Sequence, residues 1–177
     1  MESSKQKWIK KGYETYALAG YKRLKIESLA RVVGVSKSSF YHHFADLECF
    51  SDHLFEHHFK MCLILAEKER NCASIYPDLI NILVAHKVDL LFHRQLRIHR
   101  HYDSVQIALS KANKILGNYA TMLWAKQINL KLNTTQLEGL FELATDDFYM
   151  NINKDNLCYN SLKSYFQNLS RIINRLT

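Results

Sequence analysis

Apolar side chains recur at intervals of three and four residues along most of the chain, which is the repeat of one helix face. The pattern predicts helices over the following ranges: about 3–19, 26–33, 37–44, 46–70, 77–92, 103–129, 134–151 and 156–176. The basic segment at about 93–102 is expected to form a further short helix or a bend. The expected fold class is therefore all-α, with about nine helices in total.

The predicted helices fall into two groups. Three short helices predict a small N-terminal head, residues 1–46, and the longer helices predict a larger body, residues 47–177. The helix at 46–70 has two neighbouring apolar stripes, so it must pack on both sides and can join the head to the body. The last two helices have stripes so wide that they need a partner surface, which is either the rest of the chain or a second copy.

Composition strengthens the helical interpretation and adds a charge. Only 5 glycines and 1 proline occur in 177 residues, and 47% of the residues are hydrophobic, which favours a mostly helical chain. The formal net charge of +7 favours an anionic partner such as nucleic acid. The N-terminus has no apolar signal region, and no apolar run approaches the roughly 18 residues of a membrane span. We therefore expect a soluble, cytoplasmic protein with no membrane partner.

The sequence has none of the common signatures of enzymes or of cysteine-based sites. It contains no G-x-S-x-G, no H-E-x-x-H, no phosphate loop and no glycine-rich fingerprint, so neither an enzyme nor a cofactor is predicted. The four cysteines lie at irregular spacings without a C-x-x-C pair, and reduced thiols are expected instead of a zinc ribbon or a disulfide framework.

The stretch "VVGVSKSSFYHHF" at 32–44 has the pattern of a helix-turn-helix. Ala30 allows the second helix to approach closely, Gly34 permits the positive φ of the turn, and Val35 fills the corner. Phe40 is expected to be buried, while Ser38 and His42 point away from it on a helical wheel. Hydroxyl, phenol and imidazole groups on that face can donate to and accept from base edges and phosphates.

The longer run "IESLARVVGVSKSSFYHHFADLECF" resembles the TetR-like transcriptional regulators, with similarity over about 8–50. The resemblance implies the following DNA contacts: Lys25, Ser36, Lys37, Tyr41 and His42 with phosphates, and Ser38 and Ser39 nearest the bases. It also implies that His43 is partly buried beneath the helix. Leu47 stands where the family usually has a lysine, so one phosphate contact is missing or is replaced by Lys22 or Arg23.

The same resemblance implies a homodimer that binds a palindromic operator in double-stranded DNA. The dimer would be a four-helix bundle of the last two helices of each chain, with the following interface residues: Leu137, Phe141, Phe148, Leu162, Phe166, Leu169 and Ile173. An unknown small-molecule effector in the body would release the DNA, which makes the expected function that of a ligand-responsive repressor. A rival hypothesis is a helical protein-interaction module whose basic head binds an acidic protein.

Two further sets of side chains share a helix face. His86, Asp89 and His93 are candidates for polar groups in a ligand cavity, for satisfied core residues or for a surface strip. Cys49, His53 and His57 have a spacing that could hold part of a metal site, as in a metal- or thiol-sensing regulator. The preferred interpretation is a polar strip between two apolar stripes, so no metal is predicted.

Overall fold

The computed structural model describes residues 3–175, and its regular secondary structure within them is helical. Ten α-helices lie within these residues, with the following bounds: α1 (Ser4–Ala19), α2 (Ile26–Val33), α3 (Lys37–His43), α4 (Leu47–Arg70), α5 (Ile80–Ala85), α6 (Lys87–Ile98), α7 (Asp103–Leu116), α8 (Tyr119–Gln127), α9 (Thr134–Asn151) and α10 (Tyr159–Ile173). Residue 176, the last of the predicted C-terminal helix, lies outside the described residues. The predicted all-α fold class is confirmed.

Two predicted helices are each divided in the structure. Gly117 has a φ of +63°, which L side chains rarely adopt, and it separates α7 from α8. His86 follows α5 with φ −100° and ψ 24°, and α6 begins at the next residue. Helix α6 then continues to Ile98, so most of the basic segment is helical. These changes account for ten helices within residues 3–175 where about nine were predicted.

Side-chain caps fix the starts of several helices. The carboxylate of Asp46 accepts a hydrogen bond from the backbone N–H of Cys49 at 2.8 Å, so Asp46 caps the start of α4. Ser36 precedes α3, but its hydroxyl lies 2.8 Å from that of Ser38 and does not cap the helix. Only residues 44–46 separate the end of α3 from the start of α4.

The first compact unit comprises Met1–Cys62 and Val88–Lys114. Its core is aromatic, with the following fully buried rings: Trp8, Tyr16, Phe40, Phe44, Phe50 and Phe92. The rings of Tyr13 and Tyr16 stack on Phe92 at centroid distances of 4.3 and 4.5 Å. Helices α1 and α4 approach closely at Gly12, where a Cβ atom would lie 2.3 Å from Cζ of Phe50.

The second compact unit comprises Leu63–Lys87 and Ile115–Thr177. Helix α5 packs against α10 in this unit. The buried indole of Trp124 donates a hydrogen bond from Nε1 to Oγ of Ser170 at 2.9 Å, which satisfies its polar group within the core. Within residues 3–175, none of the helices combines the length and the apolar character that crossing a membrane requires.

The first unit is larger than the predicted head, residues 1–46. The reason is the aromatic core, in which rings from α1 contact Phe92 of α6 as well as Phe55 of α4. These ring contacts place the helix-turn-helix in the same compact unit as Phe55 of α4 and Phe92 of α6. The functional assignment of residues 1–46 to DNA binding, and of residues 47–177 to ligand binding and dimerisation, stays a prediction.

Candidate nucleic-acid interface

The turn between α2 and α3 has the backbone that its sequence predicts. Gly34 adopts the left-handed conformation, with φ 76° and ψ 34°, and its N–H donates to the carbonyl oxygen of Ala30 at 2.9 Å. The N–H of Val35 donates to the same carbonyl at 3.1 Å. Leu29 and Ala30 are buried, so one side of α2 is fixed in the core and α3 leaves the turn at a defined angle.

Helix α3 is anchored by Phe40, which is completely buried. Its ring meets Trp8 of α1 and Phe50 of α4 edge to face, each at a centroid distance of 5.3 Å. It also lies 5.1 Å from the ring of Phe44. A helix of seven residues has little intrinsic stability in water, so these contacts hold it in place.

The opposite side of α3 faces solvent and is polar. Exposed side chains at and within the helix are Ser36, Lys37, Ser38, Tyr41 and His42. Tyr41 is 54% exposed although it is large and aromatic. His43 is half-buried whereas His42 is exposed, and the two imidazole rings meet edge to face at a centroid distance of 5.2 Å. The resulting surface carries hydroxyl, phenol, imidazole and ammonium groups within a single short helix.

Ser39 lies apart from this exposed surface. It is half-buried, its hydroxyl lies 3.1 Å from Oγ of Ser4, and it accepts a hydrogen bond from Nε1 of Trp8 at 3.4 Å. These contacts direct the Ser39 hydroxyl towards α1. The proximity of Ser39 to the bases stays a prediction. Its hydrogen bonds to α1 could not be read from a helical wheel of α3 alone.

Lys37 has a partner that sequence reasoning missed. Its ammonium forms an ion pair with the carboxylate of Glu27 on α2. The hydrogen bond from Lys37 lowers the pKa of Glu27, and the same bond raises the pKa of Lys37. Both side chains are exposed, so water screens the pair and Lys37 can leave it to meet a phosphate.

Positive charge is concentrated in the first part of the chain. Residues 1–46 contain nine Lys and Arg against four Asp and Glu, so they hold five of the seven net positive charges. Lys22, Arg23 and Lys25 between α1 and α2 are all exposed. A basic surface beside a polar recognition helix is the electrostatic pattern expected of a surface that binds nucleic acid.

Residues 9–48 match the family model described as bacterial regulatory proteins, tetR family. Over these residues, which include the helix-turn-helix, the chain is similar to that family. A crystal structure of a chain from Shewanella sp. PV-4, classed as a tetR family transcription regulator, is similar to this protein with a TM-score of 0.51 and 18% sequence identity. The likeness covers 84% of this chain and 82% of that one, and it shows a shared fold. No curated protein matches the sequence.

The TetR-family match supports a DNA-binding transcription regulator and confirms the resemblance seen in the sequence. It spans α2, α3 and the start of α4, so it includes the whole turn and the exposed face. Leu47, where the family usually has a lysine, is half-buried at the first position of α4. A leucine cannot bind a phosphate, and the exposed Lys22 and Arg23 are the predicted replacements.

The three side chains predicted for an effector cavity belong to two compact units. His86 belongs to the second compact unit, where its Nε2 lies 2.9 Å from the ammonium of Lys68. Asp89 and His93 belong to the first unit. The backbone at His86, between α5 and α6, departs from helical geometry, so the three residues do not lie on one continuous helix. The ligand cavity built on them stays a prediction.

The Cys49, His53 and His57 stripe is occupied by local contacts. Nδ1 of His53 lies 2.9 Å from the carbonyl oxygen of Cys49, and the ring of His57 packs edge to face on Tyr13 at 4.7 Å. Among the described residues 3–175, these three do not form a cluster suited to a metal ion. That arrangement fits the predicted polar strip.

His58, the neighbour of His57, is the residue that sequence reasoning missed. It lies in the core of the first unit, next to Cys62 and His93. Burial lowers the pKa of His58 to about 3 and holds that of His93 well below its usual value. In the sequence, the site is indicated only by the spacing of His58 and Cys62 at i and i+4. The third residue, His93, is distant in the sequence and is brought next to them by the fold.

The predicted dimer residues are divided by burial. The chain by itself already buries Phe141, Leu162, Phe166 and Ile173, whereas Leu137, Phe148 and Leu169 are half-buried. The large apolar side chains that α9 and α10 leave exposed are Leu143, Met150 and Ile172. The wide stripes noted in the sequence thus serve first to pack the chain on itself.

Proposed function

We propose that the protein is a sequence-specific transcriptional repressor that binds a palindromic operator as a homodimer and releases it when an effector binds. The observation that carries the proposal is the exposed polar face of α3, held by Phe40 within a domain that matches the tetR family. In a helix-turn-helix, the second helix enters the major groove and its side chains reach base edges. Helix α3 would be that reading helix.

The exposed groups divide by chemistry into two roles. Ser38 can reach base edges through its hydroxyl. Ser36, Lys37, Tyr41, His42 and the preceding Lys25 suit phosphate oxygens, which fix the register of the protein on the duplex. Ser39 would support α3 from the side of α1, because its hydroxyl bonds there. Ser38 is therefore a better candidate than Ser39 for reading sequence.

Selection from a pool of random duplex DNA tests the function directly. We expect enrichment of a palindrome whose half-sites lie about one helical turn or slightly more apart, because a two-fold dimer sets two reading helices in successive grooves. Enrichment of a single half-site would contradict the proposed dimer but would still support a DNA-binding regulator. No enrichment at any salt concentration would favour the protein-interaction module.

Replacing Tyr41 with alanine is expected to weaken binding to the selected operator and to random duplex alike, by about tenfold, through loss of one hydrogen bond to a charged phosphate. Because Tyr41 is exposed, the fold should be unchanged. Fluorescence anisotropy with both duplexes measures the effect.

Two matched variants make the Tyr41 measurement specific. Tyr41→Phe removes only the hydroxyl, so an equal loss would assign the effect to a phosphate bond. Lys25→Ala should also lower the dependence of log affinity on log salt by about one, which a neutral phenol cannot do. Unchanged binding in Tyr41→Ala and in Ser38→Ala together would contradict the assignment of α3 as the reading helix.

The homodimer is proposed to use α9 and α10. Support comes from the exposed apolar side chains that these helices keep, of which Leu143 is 71% and Ile172 48% exposed. The half-buried Leu137, Phe148 and Leu169 belong to the same two helices and stay partly accessible to a partner. A dimer that covers these apolar side chains would remove them from water.

Charged residues at both exposed positions are expected to give monomers. Leu143→Glu combined with Ile172→Glu should raise the dimer dissociation constant at least thirtyfold, roughly the effect of losing one strong interface residue. Sedimentation equilibrium measures the change, and circular dichroism checks the fold. The control is Glu142→Gln, an exposed change on the same helix. A dimer that persists in the double variant would place the interface elsewhere.

The effector response is proposed as a shift between two populations. Helix α4 begins directly after the reading helix and runs for 24 residues, so a ligand that contacts it can favour one position of α3. The ligand must bind the two states with different affinity, since equal affinity shifts nothing. Operator affinity measured with and without a bound ligand, at constant salt, tests the response.

A further inference from the structure

Three buried side chains in the first compact unit converge on one point. His58 and Cys62 lie one turn apart on α4, and His93 comes from α6. None of the three is more than 2% exposed, and their potential ligand atoms all lie within 4.8 Å of one another. Nε2 of His58 lies 3.2 Å from Nδ1 of His93 and 3.4 Å from Sγ of Cys62.

The hydrogen bonds of His93 define which of its ring nitrogens carries the proton. Nη2 of Arg97 donates to Oδ1 of Asn113 at 3.2 Å, and since a guanidinium can only donate, this bond fixes the orientation of the amide. Nε2 of His93 lies 3.1 Å from the same oxygen and must therefore donate to it. In the neutral ring, Nδ1 then carries the lone pair, and Nδ1 is the atom that faces His58.

The same reasoning applies to His58. The hydroxyl of Tyr13 donates to a carboxylate oxygen of Asp89 at 2.9 Å. Its oxygen is then left to accept from Nδ1–H of His58, which lies at 2.8 Å. Nε2 of His58 consequently carries the lone pair, and it is the atom that faces both His93 and Cys62.

Two lone pairs thus face each other at 3.2 Å in the core. A cation between the three ligand atoms would accept an electron pair from each ring nitrogen and from the sulfur. The two separations from Nε2 of His58, 3.2 Å to Nδ1 of His93 and 3.4 Å to Sγ of Cys62, also suit a metal. Zn–N bonds of about 2.0 Å and Zn–S bonds of about 2.3 Å in a tetrahedron place two nitrogens about 3.3 Å apart and nitrogen and sulfur about 3.5 Å apart.

We propose that His58, Cys62 and His93 bind one soft or borderline transition-metal ion, of which Zn²⁺ is the probe. Two imidazoles and a thiolate are ligands that zinc and copper(I) prefer, while Mg²⁺ and Ca²⁺ require oxygen. As the S–metal bond forms, the Cys62 thiol gives its proton to solvent, so one proton is released per ion.

The surroundings of the cluster have the form of an outer shell around metal ligands. Histidines that bind metals usually donate their second N–H to a carboxylate, a carbonyl or a similar acceptor, which holds the ring in place. Asn113 accepts from His93 in this way, and Tyr13, itself bonded to Asp89, accepts from His58. Asn113 and Tyr13 are positioning residues in this arrangement.

The test uses the full chain and needs no DNA, so its result is independent of the proposed function. Titration of Zn²⁺ against a chromophoric chelator should show one ion per chain. Co²⁺, which takes the same ligands as zinc, should give a thiolate-to-metal charge-transfer band. Cys62→Ser should abolish that band and weaken binding at least a hundredfold, whereas the half-buried Cys49→Ser control should keep both.

A second variant guards against a folding defect in Cys62→Ser. Asn113 is exposed, so Asn113→Ala should keep the fold and weaken metal binding about 10- to 100-fold through loss of the bond to His93. Three results would overturn the proposal: no stoichiometric uptake by the unaltered chain, uptake of cobalt without a charge-transfer band, or a band that Cys49→Ser removes and Cys62→Ser keeps.

Discussion

Replacing Phe40 with alanine is expected to lower the free energy of unfolding by about 3–5 kcal/mol, the range measured for large buried aromatic side chains. Phe40 is completely buried, and its ring contacts Trp8 of α1, Phe44 at the end of α3 and Phe50 of α4. The alanine variant would therefore leave a cavity among these three rings. Because total stability of a domain is commonly about 5–15 kcal/mol, this one change removes a large share of it. Chemical denaturation followed by circular dichroism measures the loss.

The neighbouring Tyr41 supplies the matched control. Tyr41→Ala removes a ring of similar size from the same helix, but the ring is exposed, so the free energy of unfolding should change by less than about 0.5 kcal/mol. We expect both variants to lose operator affinity, one through instability of the head and the other through a missing contact. Equal stability of the two variants would contradict the position of Phe40 as the anchor of α3.

Glu69 is expected to make the protein less stable as the pH rises. Burial raises the pKa of Glu69 from 4.5 to about 7. Between these values the folded chain keeps a proton that the unfolded chain releases, so stability falls from about pH 4.5 to about pH 7, by up to roughly 3 kcal/mol. Above that range the folded state must hold an ionised carboxylate in its core.

The variant Glu69→Gln removes this titration while keeping the shape of the side chain. We expect it to be more stable than the unaltered protein at about pH 8 and to lack the fall in stability between about pH 4.5 and 7. Thermal melts over this pH range measure the difference. Glu67→Gln, an exposed change on the same helix, should leave the pH profile unaltered. A fall of the same size in Glu69→Gln would assign it to another group.

Helix α1 takes part in both of the sites described above. Its Trp8 packs on Phe40 and donates to Ser39, and its Tyr13 bonds both His58 and Asp89. A ligand at the cluster of His58, Cys62 and His93 would therefore act on the helix that supports α3. The connection lies within one compact unit and involves direct contacts throughout.

Most of the head could be predicted from the sequence because its determinants are local. A left-handed residue between two short helices requires glycine, the cap at Asp46 is a contact over three residues, and the repeat of apolar positions separates Phe40 from the exposed Ser38 and His42. Such rules act within one or two turns of helix. The match to the tetR family model at residues 9–48 confirms the resemblance that these local patterns indicated.

Breaks within the later helices were beyond the local pattern. The sequence around His86 and Gly117 is apolar or amphipathic enough to continue a helix, yet the backbone departs from helical geometry at both positions. The local pattern therefore predicted an unbroken helix at each position. Helix propensity is only a weak preference, and tertiary packing can override it. His86 therefore lies between α5 and α6 and not within one continuous helix with Asp89 and His93.

The sequence by itself determined the all-helical class, the helix-turn-helix and the exposed polar face of α3, since these follow from periodicity, caps and one glycine. Tertiary structure decided which polar residues meet: Glu27 with Lys37, Ser39 with Trp8, and His58 and Cys62 with His93. Except for His58 and Cys62, these partners lie between 10 and 35 residues apart in the chain. No helical repeat encodes such distances, because they are set by the packing of buried aromatic rings between helices.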